Sequence, residues 1–221
     1  MSSLEAQLVR KDLKLIQLLN PPFDSKGLNP GYIKGYLPGV RENGGQYTHA
    51  AVWTLMAVAA LGQREKLWQL LNLIHPINHT SDPAAVHQYK TEPYVMAADV
   101  YSNDSHKGMG GWTWYTGSAG WMYQFILDYF VGLERRDQLL LFKPRFPPHW
   151  PSISLVYRYG RSEYHITVFQ AADDSAPRWK LDDQNGDGNA IRLVDDNQSH
   201  SAEIYCAAII PIVLPNISSI F

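Results

Sequence analysis

Residues 110–121 read GGWTWYTGSAGW and hold three of the seven Trp and four of the sixteen Gly. Such a mixture is too aromatic for an ordinary loop and too rich in glycine for a helix interior. Flat rings beside uncovered backbone amides suit one face of a sugar and an anion together. The apolar run that follows, 121–133, sets Trp121, Phe125, Ile126, Tyr129 and Leu133 on one stripe at helical spacing. Thr116, Gly117 and Ser118 therefore fall where a helix should begin. There the first N–H groups lack intrahelical partners and the helix dipole is positive, which makes an anion site. The same residues admit a plainer reading, in which the Trp side chains are core and Thr116 caps the helix.

Other groups with chemical potential lie upstream. Glu42 stands in a Gly-flanked loop before His49, where a carboxylate can bind sugar hydroxyls, move a proton or be solvated. His49 follows Thr48 at a loop-to-helix junction, to face an anion or to serve as a hydrogen-bonded core histidine. Glu92 and Asp99 lie near an expected helix start, where acids are also dipole partners. Asp104, His106 and Lys107 form a charged loop that solvation alone explains. His75 and His79 have a metal-like spacing, but Pro76 breaks the helix that would align them. Asp183, Asn185, Asp187 and Gly188 match the first half of a calcium loop. Val194 stands where the bidentate Glu belongs, so a polar turn is the reading and no metal site is expected.

Composition narrows the function classes. With 221 residues the chain builds one large or two small domains. Lys+Arg 19 against Asp+Glu 21 gives a net charge of -2, which leaves no electrostatic footprint for nucleic acid or an anionic membrane. Cys206 is the single cysteine, so an internal disulfide framework and a multi-Cys metal site are excluded. No apolar run reaches the length of a membrane span; residues 207–214 are apolar but short and broken by Pro211. The charged opening MSSLEAQLVRKDLK is unlike a signal peptide, and a cytoplasmic location is expected.

The elements that must position these residues read as helices first and strands later. An amphipathic helix is expected over 3–19, with Leu4, Leu8, Leu15 and Leu19 near one stripe, ended by the Asn20-Pro-Pro run. Residues 24–46 form a long Gly- and Pro-rich loop, of the kind that usually carries function. Helices follow over 47–61, stopped by Gly62, and over 63–75, with Leu67, Leu70, Leu71 and Ile74 on the apolar face. Residues 77–93 read as a loop, 94–101 as a short helix and 120–133 as the last long helix. Beyond Leu139 the pattern alternates, at 153–159, 163–169 and 201–206, with an Asp/Asn/Gly turn cluster over 181–190. A linker at 142–151 separates a helical domain, 1–141, from a β unit, 142–221.

PPFD at 21–24, GYIKGYLPGVRENGGQYTHAAVW at 31–53, EPYVMAADVYS at 92–102 and GGWTWYTGSAGWMYQ at 110–124 together resemble glycoside hydrolase family 94. That family contains cellobiose and chitobiose phosphorylases and the C-terminal part of cyclic β-1,2-glucan synthases; RENGGQYTHA with PPFD before it is most similar to the synthase branch. The resemblance runs from about residue 10 to about residue 200. FKPRFPPHWPSISLVYRYGRSEYHITV and IRLVDD resemble the family's closing β unit.

The resemblance implies a mainly α fold: the later half of an (α/α)6 barrel, then a small β-sandwich-like unit. It implies an inverting reaction on β-linked glucans, in which inorganic phosphate attacks the anomeric carbon while a carboxylic acid protonates the leaving oxygen. By motif position His49, Thr116 and the backbone of Gly117 hold phosphate, and Tyr36, Arg41 and Glu42 line the sugar site. No cofactor is expected beyond phosphate as co-substrate. The family's general acid is an Asp in an earlier loop, and no Tyr-Asn-Asp-Trp-like motif stands here, so no catalytic acid is assigned within the chain. The expected partners are a β-glucan oligosaccharide, phosphate, and either the missing N-terminal half or a second copy. This segment is expected to make no membrane contact, whether free in the cytoplasm or as the cytoplasmic part of a membrane-anchored synthase. Two alternatives stay open: a carbohydrate-binding or structural remnant without turnover, and a complete hydrolase that uses Glu42 or Glu92 as acid.

Overall fold

The computed structural model describes residues 1–24, 26–27, 29–114, 116–170 and 176–206. The chain divides into two compact units, residues 1–58 with 66–125, and residues 59–65 with 126–221. The tail over 207–221 lies outside the described residues.

The first unit opens on α1 (Ser2–Gln7), β1 (Val9–Arg10) and β2 (Leu15–Ile16). The helix expected over 3–19 is therefore a single short helix followed by a hairpin. Its cause lies in the burial pattern: Leu13 and Leu15 go into the core on alternate positions, and Lys14 between them takes a left-handed φ of 53°. Strand β3 (Gln46–Tyr47) leads into α2 (Thr48–Ala60), and α3 (Arg64–Ile74) follows. Gly62, at φ 68°, ends α2 as the sequence predicts. Leu67, Leu70, Leu71 and Ile74 are the buried face of α3, also as predicted.

The expected loop over 77–93 contains α4 (Pro83–Tyr89), whose start carries Asp82 accepting from the Ala85 N–H and Pro83 in the first turn. The short helix expected at 94–101 is instead extended chain, with β4 (Asp99–Val100) paired antiparallel to β3: Tyr47 opposite Asp99, Gln46 opposite Val100. Helix α5 (Thr116–Gln124) follows, and residues 125–131 continue it as a π-helical turn.

The second unit is built of strands: β5 (Leu133–Arg136), β6 (Leu139–Phe142), β7 (Ser152–Tyr159), β8 (Ser162–Gln170), β9 (Arg178–Leu181), β10 (Gln184–Asp187), β11 (Ala190–Arg192) and β12 (Ser199–Cys206). Three hairpins turn on two residues, the first of each left-handed: Asp137 at 54°, Gly160 at 59° and Asp182 at 51°. Among the described residues of this unit the strands form the sheets β11-β6-β5 and β10-β9-β12-β8-β7. In the larger one β12 runs parallel to β8 and antiparallel to β9. Alternate residues Tyr164, Ile166 and Val168, with Ala202, Ile204 and Cys206, form its buried face.

The mainly α expectation is therefore wrong. Helix and strand occur in comparable amounts, 33% and 28%. The strands over 133–142 and 178–187 escape sequence reading because they are short and carry charged or turn-forming residues such as Glu134, Arg135, Asn185 and Gly186.

Candidate functional site

Helices α2 and α5 meet along matched stripes. On α2 the stripe is His49 and Trp53, on α5 it is Gly117 and Trp121, each pair four residues apart and thus one turn apart on one face. The indoles of Trp53 and Trp121 pack edge to face at 5.4 Å. One turn closer to both helix starts, Gly117 faces His49: a methyl group added at Gly117 would sit 2.6 Å from His49 Nε2. No residue with a side chain fits there unless the imidazole moves. His49 also stacks on Tyr47 at 5.1 Å, nearly parallel, and its Nδ1 is buried with no hydrogen-bond partner among the described residues. Thr116, next to Gly117, is exposed at the start of α5. The three residues expected at an anion thus share one place, with a ring nitrogen and the opening N–H groups of a helix beside each other.

A second group surrounds Arg41. Its guanidinium lies 4.1 Å from the centre of the Trp112 ring and 5.4 Å from that of Tyr36. Glu42 Oε2 approaches Arg41 Nε to 3.6 Å, an ion pair longer than a hydrogen bond. Both side chains are only 17% exposed. Arg41 Nε and Glu42 Oε2 are buried and have no hydrogen-bond partner among the described residues. Arg41 also holds a left-handed φ of 48°, a conformation costing roughly 1–3 kcal/mol in a residue with a side chain.

What keeps this loop in place is Asn43, which is fully buried. Its Oδ1 accepts from the Phe23 N–H at 2.7 Å, and its Nδ2 donates to the carbonyls of Phe23 at 2.9 Å and Tyr36 at 2.8 Å. That single amide ties PPFD to the loop carrying Tyr36, Arg41 and Glu42.

Asp99 joins the two groups. Its backbone pairs with Tyr47, the residue stacked on His49, and its carbonyl accepts from the Gly111 N–H at 2.8 Å. Its carboxylate Oδ1 accepts from the Trp112 N–H at 3.2 Å, and it fills the space a side chain at Gly111 would need. Burial raises its pKa above the usual carboxylate range, against the pull of the Trp112 N–H and the Arg41 charge. The expected dipole role at a helix start does not apply, since Asp99 lies in a strand. Trp112 was not assigned to the site by number, and Asp99 was weighed only as an acid near an expected helix start. The Trp-rich motif pointed to the first; nothing in the local sequence separates the second from an ordinary acid.

Elsewhere, Glu92 accepts from the Trp114 indole N–H at 3.0 Å, which lowers its pKa, and the exposed Tyr94 ring packs edge-on against Trp114. His79 is buried against Tyr89, and burial pushes its pKa down to about 4. Asp183 is a turn residue between β9 and β10, and Asn185 and Asp187 belong to β10. No group of three or more His, Cys, Asp or Glu among the described residues is arranged to hold a metal ion. No helix among them is long and apolar enough to cross a membrane.

Residues 1–132 match the family described as glycosyl hydrolase 94 superfamily, catalytic domain. The cyclic beta-(1,2)-glucan synthase NdvB of Rhizobium meliloti (strain 1021) is 40% identical over 177 residues, 80% of this chain and 6% of that protein. An N,N'-diacetylchitobiose phosphorylase of Vibrio proteolyticus is 25% identical over 154 residues, 69% of this chain and 19% of the enzyme. A 3-O-beta-D-glucopyranosyl-beta-D-glucuronide phosphorylase of Paenibacillus borealis is 30% identical over 159 residues, covering 69% and 20% respectively. The chain therefore spans a fifth or less of these relatives' length.

Proposed function

The chain belongs to the glycosyl hydrolase 94 superfamily, and on that premise we propose that it supplies the phosphate and sugar site of an enzyme acting on β-linked glucans, of the cyclic β-1,2-glucan synthase or β-glucan phosphorylase type. His49, Thr116 and the Gly117 backbone hold inorganic phosphate. Tyr36, Arg41 and Glu42 hold the sugar. A phosphate oxygen forms a bond to the anomeric carbon as the glycosidic C–O bond breaks, with inversion. The leaving sugar oxygen takes its proton from a carboxylic acid, which this reading assigns to polypeptide outside the 221 residues. The products are a sugar 1-phosphate and a glucan shorter by one unit. Within this reading the chain works on the cytoplasmic side.

The observation that carries the reading is the approach of Gly117 to His49. It sets a ring nitrogen directly against the first turn of α5, beside opening N–H groups that are able to hold an anion. Support on the sugar side comes from the buried Arg41 Nε and Glu42 Oε2, ion-paired but without a hydrogen-bond partner among the described residues, a donor and an acceptor suited to hydroxyl groups.

The test is titration of the 221-residue chain with inorganic phosphate. His49→Ala should weaken binding about ten- to a hundredfold, the worth of one charge-assisted hydrogen bond. Unchanged affinity would make His49 a core histidine and end the assignment. A second arm asks for release of sugar 1-phosphate from β-glucan by the chain alone, and none is expected. Turnover abolished by Glu42→Gln or Glu92→Gln would place the acid inside the chain.

A further inference from the structure

Asp99 is 1% exposed, yet its Oδ2 has no hydrogen-bond partner among the described residues. A buried carboxylate is costly unless it is compensated. The hydrogen bond from the Trp112 N–H to its Oδ1 needs an oxygen but no charge. The charge has another counterpart. Arg41 and Glu42 both lie within electrostatic reach of Asp99, the first attracting it and the second repelling it. Arg41 itself is held by stacking on Trp112 and by an ion pair too long to be a hydrogen bond. One guanidinium thus stands among two carboxylates. With only one carboxylate present, Glu42 and Arg41 would neutralise each other. The second acid leaves acceptor capacity over.

We propose that Asp99 is a positioning residue for the sugar side of the site: its carboxylate fixes the Gly111–Trp112 backbone and balances Arg41, which keeps the guanidinium on the Trp112 ring and leaves Glu42 free to accept from sugar hydroxyls. This rests on the reading of Arg41 and Glu42 as sugar ligands. Gly111 belongs to the same arrangement, because its missing side chain is the space the Asp99 carboxylate occupies.

The test compares the 221-residue chain with its Asp99→Asn variant by three measurements. The first is the nuclear magnetic resonance shift of the Arg41 side-chain protons, which the Trp112 ring moves upfield while the stack holds. The second is titration with a β-1,2-linked glucose oligosaccharide and, separately, with inorganic phosphate. The third is thermal melting. Asp99→Asn should abolish the upfield shift and weaken oligosaccharide binding about tenfold or more, as for loss of a charged partner. Phosphate affinity should stay within about twofold and melting should remain cooperative. A merely structural Asp99 would move melting and both affinities together, and that result overturns the proposal. So does an Asn variant that retains the upfield shift and the oligosaccharide affinity. If the wild-type chain binds no oligosaccharide, the sugar-site reading falls, while the Arg41 shift still decides the role of Asp99. Should Asp99→Asn not fold, Asp99→Ser carries the same comparison, since its hydroxyl can still accept from the Trp112 N–H without the charge.

Discussion

Trp53 meets Trp121 edge to face at 5.4 Å, one helical turn beyond the point where His49 meets Gly117. The indole pair thereby sets the spacing of α2 and α5 where the anion site is proposed. Trp53→Ala removes an aromatic pair worth about 0.5–1.5 kcal/mol beyond its buried area. We expect a stability loss of at least that size in urea denaturation, together with weaker phosphate binding. Trp53→Phe should recover part of both. Full phosphate affinity in Trp53→Ala would show that the pair does not set the site.

Gly117→Ala separates fit from folding. Alanine is the better helix former, by about 1 kcal/mol in a helix interior and less at the second position of α5, so backbone propensity does not oppose the substitution. Its methyl group must nevertheless displace the His49 imidazole. The expected outcome is near-wild-type melting with phosphate affinity down at least about tenfold, the low end for a lost charged hydrogen bond. Wild-type affinity in a phosphate titration would refute the placement of the anion.

Asn43→Ala strips three hydrogen bonds from Phe23 and Tyr36. Each buried group left unpaired costs about 1–3 kcal/mol. A loss of at least about 2 kcal/mol is expected, measured by chemical denaturation. Because the same amide holds the Tyr36–Glu42 loop, oligosaccharide binding should fail before the phosphate site does.

In the second unit His200 lies between two carboxylates, with Nδ1 2.8 Å from Asp182 and Nε2 3.2 Å from Asp196. The Asp182 hydrogen bond raises the His200 pKa despite partial burial, and Asp196 adds to it. That contribution to stability is full below the unfolded value of about 6.5 and is lost as pH rises through the raised folded value. The His200 bond lowers Asp182, and the Ser162 hydroxyl lowers Asp196. Their contribution is full above about 3.9 and is lost as pH falls through the lowered values. Stability against denaturant should therefore be highest between about pH 4 and pH 6.5 and decline on both sides. His200→Gln should flatten the alkaline decline; an unchanged profile would rule the cluster out as its source.

Helix α2 carries no charged residue, and Trp53, Ala57 and Ala60 on it are exposed. Trp112, Trp114, Tyr94 and Tyr123 are exposed as well. Large apolar patches on soluble proteins mark contact surfaces. The 25.1 kDa chain alone should associate, and light scattering after gel filtration should report more than one chain per particle. A monodisperse monomer would contradict this.

Much of the first unit was legible where one signal sufficed. The 3.6-residue spacing of Leu67, Leu70, Leu71 and Ile74 and the stop at Gly62 define two helices. The reading failed where tertiary pairing decides. Leu8 and Leu15 fit a helical stripe seven residues apart, but pairing of Val9–Arg10 with Leu15–Ile16 turns the chain back between them. At the site, the motifs drew attention to His49, Thr116 and Gly117, and the structure adds that His49 and Gly117 touch across two helices. Asp99 was singled out only as an acid near a helix start; its place beside Trp112 and Arg41, which are distant in sequence, was out of reach.

Strand β12 has a consequence for the order of assembly. It is the last described strand, yet it lies in the middle of its sheet, parallel to β8 on one side and antiparallel to β9 on the other. The β7–β8 and β9–β10 hairpins are local and can form as they emerge from the ribosome, but each then presents an open edge. Only the arrival of residues 199–206 joins them, across a loop closure from β8 that is slow compared with hairpin formation. The second unit thus closes late and all at once, like a zip whose slider is threaded last. A nascent chain halted before Ser199 would hold two loose hairpins rather than four-fifths of a sheet.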